Sequence, residues 1–107
     1  MAKDPDGPVR AAAAEALATA GNPERAGPGL LARARGDRDP AVRAAAIESL
    51  GLLGVPEAAE DLFDIGRSEP LLLRACAFAL ARIGTEGARE ALRSVEVYDR
   101  LVSLARN

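Results

Sequence analysis

The chain carries the same short pattern three times, and this repetition limits its fold more than any other feature. Residues 9–21 read VRAAAAEALATAG, residues 42–54 read VRAAAIESLGLLG and residues 72–84 read LLRACAFALARIG. Each copy begins with an aliphatic residue, continues with small residues and places a leucine four residues before a closing glycine. The copies start 33 and then 30 residues apart. Such a period is typical of a solenoid, in which each unit buries its apolar face by stacking on its neighbours.

Prolines and glycines predict where the helices begin and end. Proline is tolerated in a first helical turn, and glycine readily adopts the left-handed conformation that closes many helices. Asn22 and Asp39 directly precede prolines and are candidate N-caps. The helix-starting prolines are Pro8, Pro23, Pro40, Pro56 and Pro70, and the closing glycines are Gly21, Gly36, Gly54, Gly66 and Gly84. We predict helices at about 8–20, 28–35, 40–53, 56–65, 70–83 and 86–106, with Val95 as a point where the last could break, and no strand.

Composition excludes several classes of function. The chain has 107 residues, 49% of them apolar, and a net charge of −2, which gives no reason to expect a nucleic acid or a membrane as partner. It has no histidine, one cysteine and no glycine-rich phosphate loop, so we expect no catalytic site, no metal and no cofactor. A lone cysteine and a charged N-terminal segment, MAKDPDGPVR, indicate a cytoplasmic protein.

The central copy extends to the pattern DxDPxVRxAAxxxLGxxG, which resembles HEAT-like repeats of the short type found in phycobilisome lyases and many bacterial scaffold proteins. In this copy the matching residues are Asp37, Asp39, Pro40, Val42, Arg43, Ala45, Leu50, Gly51 and Gly54, and in the first copy Asp4, Asp6, Val9, Arg10, Ala12, Leu17 and Gly21. The third copy departs from the pattern, because Leu73 stands at the arginine position and Arg74 follows one residue late. The resemblance covers nearly the whole chain.

The resemblance implies an all-α fold, a short right-handed α-solenoid of about six helices forming a single domain over residues 1–107. It also implies that the alanine-rich helices line the concave side. The arginine after the valine and the aspartates of the preceding loop are implied to bridge successive units. For Arg10, Arg43, Asp37 and Asp39 we therefore favour a structural role, as ion pairs and caps, over a catalytic or ligand-binding one.

Helical spacing assigns one face of each alanine-rich helix to the core, since residues three and four apart share a face. The predicted core residues are Val9, Ala12, Ala13, Ala16, Leu17 and Ala20, then Val42, Ala45, Ala46, Ser49, Leu50 and Leu53, and then Leu72, Ala75, Cys76, Ala79, Leu80 and Ile83. Cys76 lies in this stripe, so we predict a small buried thiol rather than a nucleophile.

The opposite face carries large apolar side chains where a solvated face would be polar, which is typical of a protein-binding patch. The candidate partner-binding residues are Arg43, Ile47, Glu48, Leu52, Leu73, Arg74, Phe78 and Arg82. Packing between neighbouring helices is the alternative explanation, and for Ile47 the two are equally supported. Phe78 favours binding, because its counterparts in the other copies are Glu15 and Glu48.

Our leading functional hypothesis is a non-catalytic scaffold or adaptor that binds a partner protein on its concave face. The resemblance alone gives the alternative, an accessory subunit of a bilin lyase or a similar cofactor-attachment enzyme, in which Arg43, Arg74 and Arg82 would hold the propionates. Nucleic-acid binding ranks last, because the basic residues are outnumbered by acids. Self-association through the exposed repeat ends is a further expectation, since unpaired repeats expose surfaces made for stacking.

Overall fold

A computed structural model describes residues 22–106, together with Ala12 and Ala16. Within residues 22–106 five α-helices follow one another: α1 (Pro23–Gly36), α2 (Pro40–Leu53), α3 (Ala59–Ser68), α4 (Leu73–Ile83) and α5 (Glu86–Arg106). These described residues contain no β-strand, and the predicted all-α fold is confirmed. Apart from Ala12 and Ala16, which are helical, the predicted helix at 8–20 lies outside the described residues.

Helix α1 begins earlier than the sequence pattern predicts. The Asn22 side chain caps it, with its Oδ1 accepting hydrogen bonds from the amides of Glu24 at 3.1 Å and Arg25 at 3.2 Å. The helix therefore starts at Pro23, and Pro28, which we predicted as the start, lies inside it. The prediction was wrong because both prolines satisfy the rule for a first turn, and only one has a capping side chain immediately before it.

Helix α2 spans 40–53 as predicted, and its ends show why. Asp39 caps the start, with its Oδ1 2.9 Å from the Ala41 amide. Gly54 closes the end in the left-handed conformation, at φ 66°. The Val55 amide then donates to the Leu50 carbonyl, which makes this a Schellman motif. Gly84 closes α4 similarly, at φ 67°, whereas Gly36 and Gly66 lie within helices.

The other predicted boundaries need small corrections. The segments beginning at Pro56 and Pro70 each open with a short 3₁₀ turn, Pro56–Ala58 and Pro70–Leu72, before α3 and α4 begin. Helix α3 continues to Ser68, three residues past the predicted end. Helix α5 is unbroken at Val95, because that side chain is 2% exposed and is held in the core.

The helices form two layers of stacked hairpins. Within each hairpin α1 packs on α2, and α3 packs on α4. Between the two hairpins α2 packs on α4, and the last helix, α5, packs on both α3 and α4. One layer thus contains α1, α3 and α5, and the other contains the alanine-rich helices α2 and α4.

The predicted core stripes of α2 and α4 are confirmed. The buried members are Val42, Ala45, Ala46, Ser49, Leu50, Leu72, Cys76, Ala79 and Leu80, with Leu53, Ala75 and Ile83 partly buried. In the first copy Ala12 and Ala16 are exposed, so the core prediction is wrong for these two residues, since no described helix covers them. The other residues of that stripe lie outside the described part of the chain.

Candidate partner-binding groove

A groove runs between the two alanine-rich helices, α2 and α4. Five residues line it: Glu48, Ala75, Phe78, Ala79 and Arg82. The floor is made of small side chains because the helices approach closely there. A Cβ placed on Gly51 would lie 2.7 Å from the Ala79 Cα atom. We call these five lining residues the Phe78 groove.

Phe78 is the dominant apolar feature of the groove. It is 68% exposed, although Ala79 and Leu80, which follow it, are 1% and 0% exposed. Its exposure therefore reflects the face of α4 on which it lies. Leu52, one helical turn after Glu48 on α2, is 55% exposed and presents a second apolar side chain on the face that carries Glu48. Exposed aromatic and aliphatic side chains of this kind serve as anchors in protein interfaces.

Opposite charges border the groove. Glu48 on α2 and Arg82 on α4 are both exposed, and neither forms an ion pair within the part of the chain that the structure describes. The groove therefore offers one free carboxylate and one free guanidinium to a ligand, in addition to its apolar centre. Such a border fixes the orientation of a partner more than it adds affinity.

Ile47 does not belong to this surface. It is 0% exposed and lies in the main core cluster. Helix α2 is contacted by α1 on one flank and by α4 on another, so a wide arc of its surface is buried. Ile47 falls inside that arc, and its prediction as a partner-binding residue is corrected to a core position.

Arg43 has structural partners. Its Nε donates to the Ala34 carbonyl at 2.8 Å, and its guanidinium lies 3.3 Å from a carboxylate oxygen of Glu69. Only 16% of the side chain is exposed. Glu69 precedes Pro70 as Asp39 precedes Pro40, so Arg43 connects the end of α1 to the loop of the next repeat. This bridging supports a structural role for Arg43. The carboxylate comes from Glu69, in a loop that follows Arg43 in the chain, whereas the resemblance implies the preceding loop.

The aspartates of that loop also act structurally. Asp39 caps α2, and Asp37 accepts a hydrogen bond from the Asp39 amide at 2.9 Å through its Oδ1. A second link between the hairpins joins the Arg35 guanidinium on α1 to the Asp61 carboxylate on α3. No group of three or more potential metal ligands occurs among the residues that the structure describes.

Leu73 and Arg74 lie on a different flank of α4 from the Phe78 groove. They line a depression toward α5 whose other members are Pro70, Ala77, Val95, Glu96 and Asp99. Leu73 is partly buried against the core, whereas Arg74 is exposed. The arginines suggested as a cradle for propionates therefore do not meet: Arg43 faces Glu69, Arg74 faces α5, and Arg82 borders the Phe78 groove.

Cys76 is buried, as predicted. Burial raises the pKa of its thiol to about 12, although the nearby positive charge of Arg43 acts in the opposite direction. At neutral pH the thiolate, which is the nucleophilic form, is therefore almost absent.

The sequence analysis missed one apolar surface, on the second half of α5. Val97, Leu101 and Leu104 are 54%, 60% and 64% exposed. Their spacing of four and three residues places them on one helix face. The spacing was visible in the sequence.

A family model of HEAT repeats matches residues 1–70 and, shifted by about one repeat, residues 27–100. This chain belongs to the HEAT-repeat family. Comparisons with curated proteins and with solved structures found no match. HEAT repeats commonly serve as scaffolds for protein interactions, and the family is generally non-catalytic. Within residues 22–106, none of the helices has the length and apolar character that a membrane span needs.

Proposed function

We propose that this HEAT-repeat chain is a non-catalytic, cytoplasmic scaffold that binds a partner protein on its concave face, through the Phe78 groove and Leu52. The observation that carries the proposal is the 68% exposure of Phe78 at a repeat position where the other two copies have glutamate. A glutamate at that position would be well solvated. A phenylalanine there instead exposes apolar area, whose removal from water by a partner is favourable.

The shape and charge of the groove favour a protein over a small molecule. Its volume of about 250 Å³ is below the roughly 300–1,000 Å³ that is usual for small-molecule sites. It is bordered by Glu48 on one helix and Arg82 on the other. A partner side chain that packs on Phe78, flanked by polar groups that pair with these two residues, matches this arrangement.

Site-specific cross-linking tests the proposal. The photoreactive amino acid p-benzoylphenylalanine replaces Phe78 in one bait and Leu71 in a control bait, and both are irradiated in lysate of the source cells. Leu71 is a suitable control because it is 86% exposed and lies outside the groove. We expect one protein to be cross-linked at position 78 and not at position 71, and Phe78→Glu to prevent its capture by a bait labelled at Leu52.

Identical products from the two baits would mean that the groove has no selective partner. Circular dichroism of each bait checks that it is folded. Because both substituted side chains are exposed, the changes should leave the helix content unaltered.

A further inference from the structure

Helix α5 is apolar on two opposite faces. Ala88 and Val95 are 0% and 2% exposed and face the core, whereas Val97, Leu101 and Leu104 are more than half exposed. Val97 follows Ala88 by nine residues, and Leu104 follows Val95 by nine, which is about two and a half helical turns. The two apolar sets therefore lie on opposite sides of the helix. We call Val97, Leu101 and Leu104 the α5 ridge.

A helix with apolar residues on opposite sides is typical of one that is covered on both sides. The ridge also has the i, i+4, i+7 spacing of helices that insert their apolar side chains into a groove. The Phe78 groove is an exposed apolar groove on the same chain.

The ridge cannot reach the groove of its own molecule. Helix α5 packs on the flank of α4 that carries Leu73 and Ala77, whereas the groove lies on the flank of α4 toward α2. The ridge moreover faces away from α4, because it is opposite the core-facing side of α5. A contact between these two surfaces requires two molecules.

The charges beside the two surfaces complement each other. Arg100 directly precedes Leu101, and Glu96 directly precedes Val97, so one flank of the ridge carries a cation and an anion four residues apart. Both side chains are exposed. Glu48 and Arg82 border the groove on opposite helices. With the ridge lying along the groove, its charged flank faces one wall, so Arg100 pairs with Glu48 on α2 while the aliphatic side chains cover Phe78.

We propose that the α5 ridge of one molecule docks into the Phe78 groove of a second copy of this chain. The inference rests on the groove being a binding surface, as proposed above, and names one occupant of it. The contact joins two different surfaces, so each molecule retains a free ridge or groove unless a ring closes. Self-association then competes with a different partner for the same groove.

Light scattering coupled to size-exclusion chromatography tests this over a range of protein concentrations. The wild type should form dimers or larger species as concentration rises. Phe78→Glu and Leu101→Glu should each weaken self-association by about tenfold or more, as expected for loss of a central apolar contact. Leu71→Glu, which changes an exposed leucine outside both surfaces, should behave as the wild type.

A mixing experiment identifies which surfaces meet. Phe78→Glu retains an intact ridge, and Leu101→Glu retains an intact groove. At a concentration where the wild type is associated, each variant alone should be mostly monomeric, whereas an equimolar mixture should form a 1:1 heterodimer that does not grow further. The charge exchange Glu48→Arg should weaken the wild-type contact, and Arg100→Glu in the same chain should restore it.

Three results would overturn the inference: a wild type that stays monomeric, self-association that is as strong in Phe78→Glu as in the wild type, or a mixture that associates no more than either variant alone. The second result, together with loss of association in Leu101→Glu, would indicate ridge-to-ridge contact. None of these results removes the proposed scaffold function, because cross-linking at position 78 to a different protein would still stand. Conversely, cross-linking only to a second copy would support the self-contact and leave the scaffold proposal without its partner.

Discussion

Gly51 determines how closely the two alanine-rich helices approach. A Cβ at this position would be 2.7 Å from the Ala79 Cα and 3.0 Å from its Cβ. Backbone atoms cannot rotate away as the end of a side chain can, so α2 and α4 would have to separate. Gly29 in α1 is the opposite case, because a Cβ there would meet no atom within 4 Å.

Alanine substitutions at these two glycines should therefore have opposite effects on the free energy of unfolding. Gly51→Ala should lower it by about 1–3 kcal/mol, since overpacking forces the helices apart. Gly29→Ala should raise it by up to about 1 kcal/mol, since alanine favours the helical conformation more than glycine does. Urea denaturation followed by circular dichroism measures both, and equal effects would contradict the close contact at Gly51.

Because of the Cys76 thiol, the free energy of unfolding depends on pH in the alkaline range. Burial raises its pKa in the folded protein to about 12, from an ordinary value of 9.0. Above pH 9.0 the Cys76 thiol of the unfolded chain loses a proton that the same thiol keeps in the folded chain. The contribution of this group to stability is therefore complete below pH 9.0 and is lost as the pH rises from there toward about 12.

We expect the free energy of unfolding to fall above pH 9.0 with a slope of up to about 1.4 kcal/mol per pH unit from this thiol. Cys76→Ala removes the ionisable group, so its stability should fall less steeply over that range even if it is lower throughout. Urea titrations at several alkaline pH values provide the comparison. Parallel curves for the two proteins would show that the thiol ionises equally in both states.

At the level of the helix, α1 contains a proline where its regular hydrogen bonding should be complete. Pro28 is the sixth residue of the helix and lies between Gly27 and Gly29. It cannot donate to the Glu24 carbonyl, and its ring crowds that carbonyl. The first turn is maintained by the Asn22 cap and by packing of Ala26, which is 6% exposed. We therefore expect the segment before Pro28 to open more readily than the rest of α1.

Pro28→Ala should stabilise this segment, because it provides the missing donor and removes the crowding, with a gain of up to about 3 kcal/mol. Hydrogen exchange at the amides of Arg25, Ala26 and Gly27 should slow, while exchange in α4 should change only as global stability does. Asn22→Ala should have the reverse effect, a loss of about 1 kcal/mol. Unchanged exchange in both variants would show that packing alone holds the first turn.

At the level of the whole molecule, the two layers connect every hairpin to the next. The α2–α4 contact joins the two hairpins, and α5 packs on both helices of the second hairpin. Arg43 adds a polar link between the end of α1 and Glu69. In a solenoid the strength of such nearest-neighbour contacts decides whether repeats unfold together.

Unfolding of residues 22–106 should therefore be a single transition. Circular dichroism reports all helices, and a short pulse of a thiol reagent reports exposure of Cys76 at the α3–α4 contact. The two urea midpoints should coincide. Labelling of Cys76 at a lower urea concentration than helix loss would mean that the second hairpin opens by itself.

The sequence determined the helix ends where the relevant signals are local. The N-caps at Asn22 and Asp39 and the left-handed glycines Gly54 and Gly84 act within a few residues of the chain, so residue types alone predict them. Local rules failed where two signals competed, as Pro23 and Pro28 did for the start of α1. They also left open whether α5, predicted over 86–106, continues through Val95, because that continuity depends on core packing.

The repeat period likewise determined the family and the alternation of helices, because a face that is apolar every three or four residues has to be covered by a neighbouring unit. Only the tertiary structure decided which of the remaining apolar residues stay exposed. Ile47 and Phe78 are both large apolar residues opposite the predicted core stripe, yet Ile47 is 0% and Phe78 is 68% exposed. The physical reason is that exposure depends on the angle and distance at which α1 and α4 flank α2, and residues far apart in the chain set that geometry.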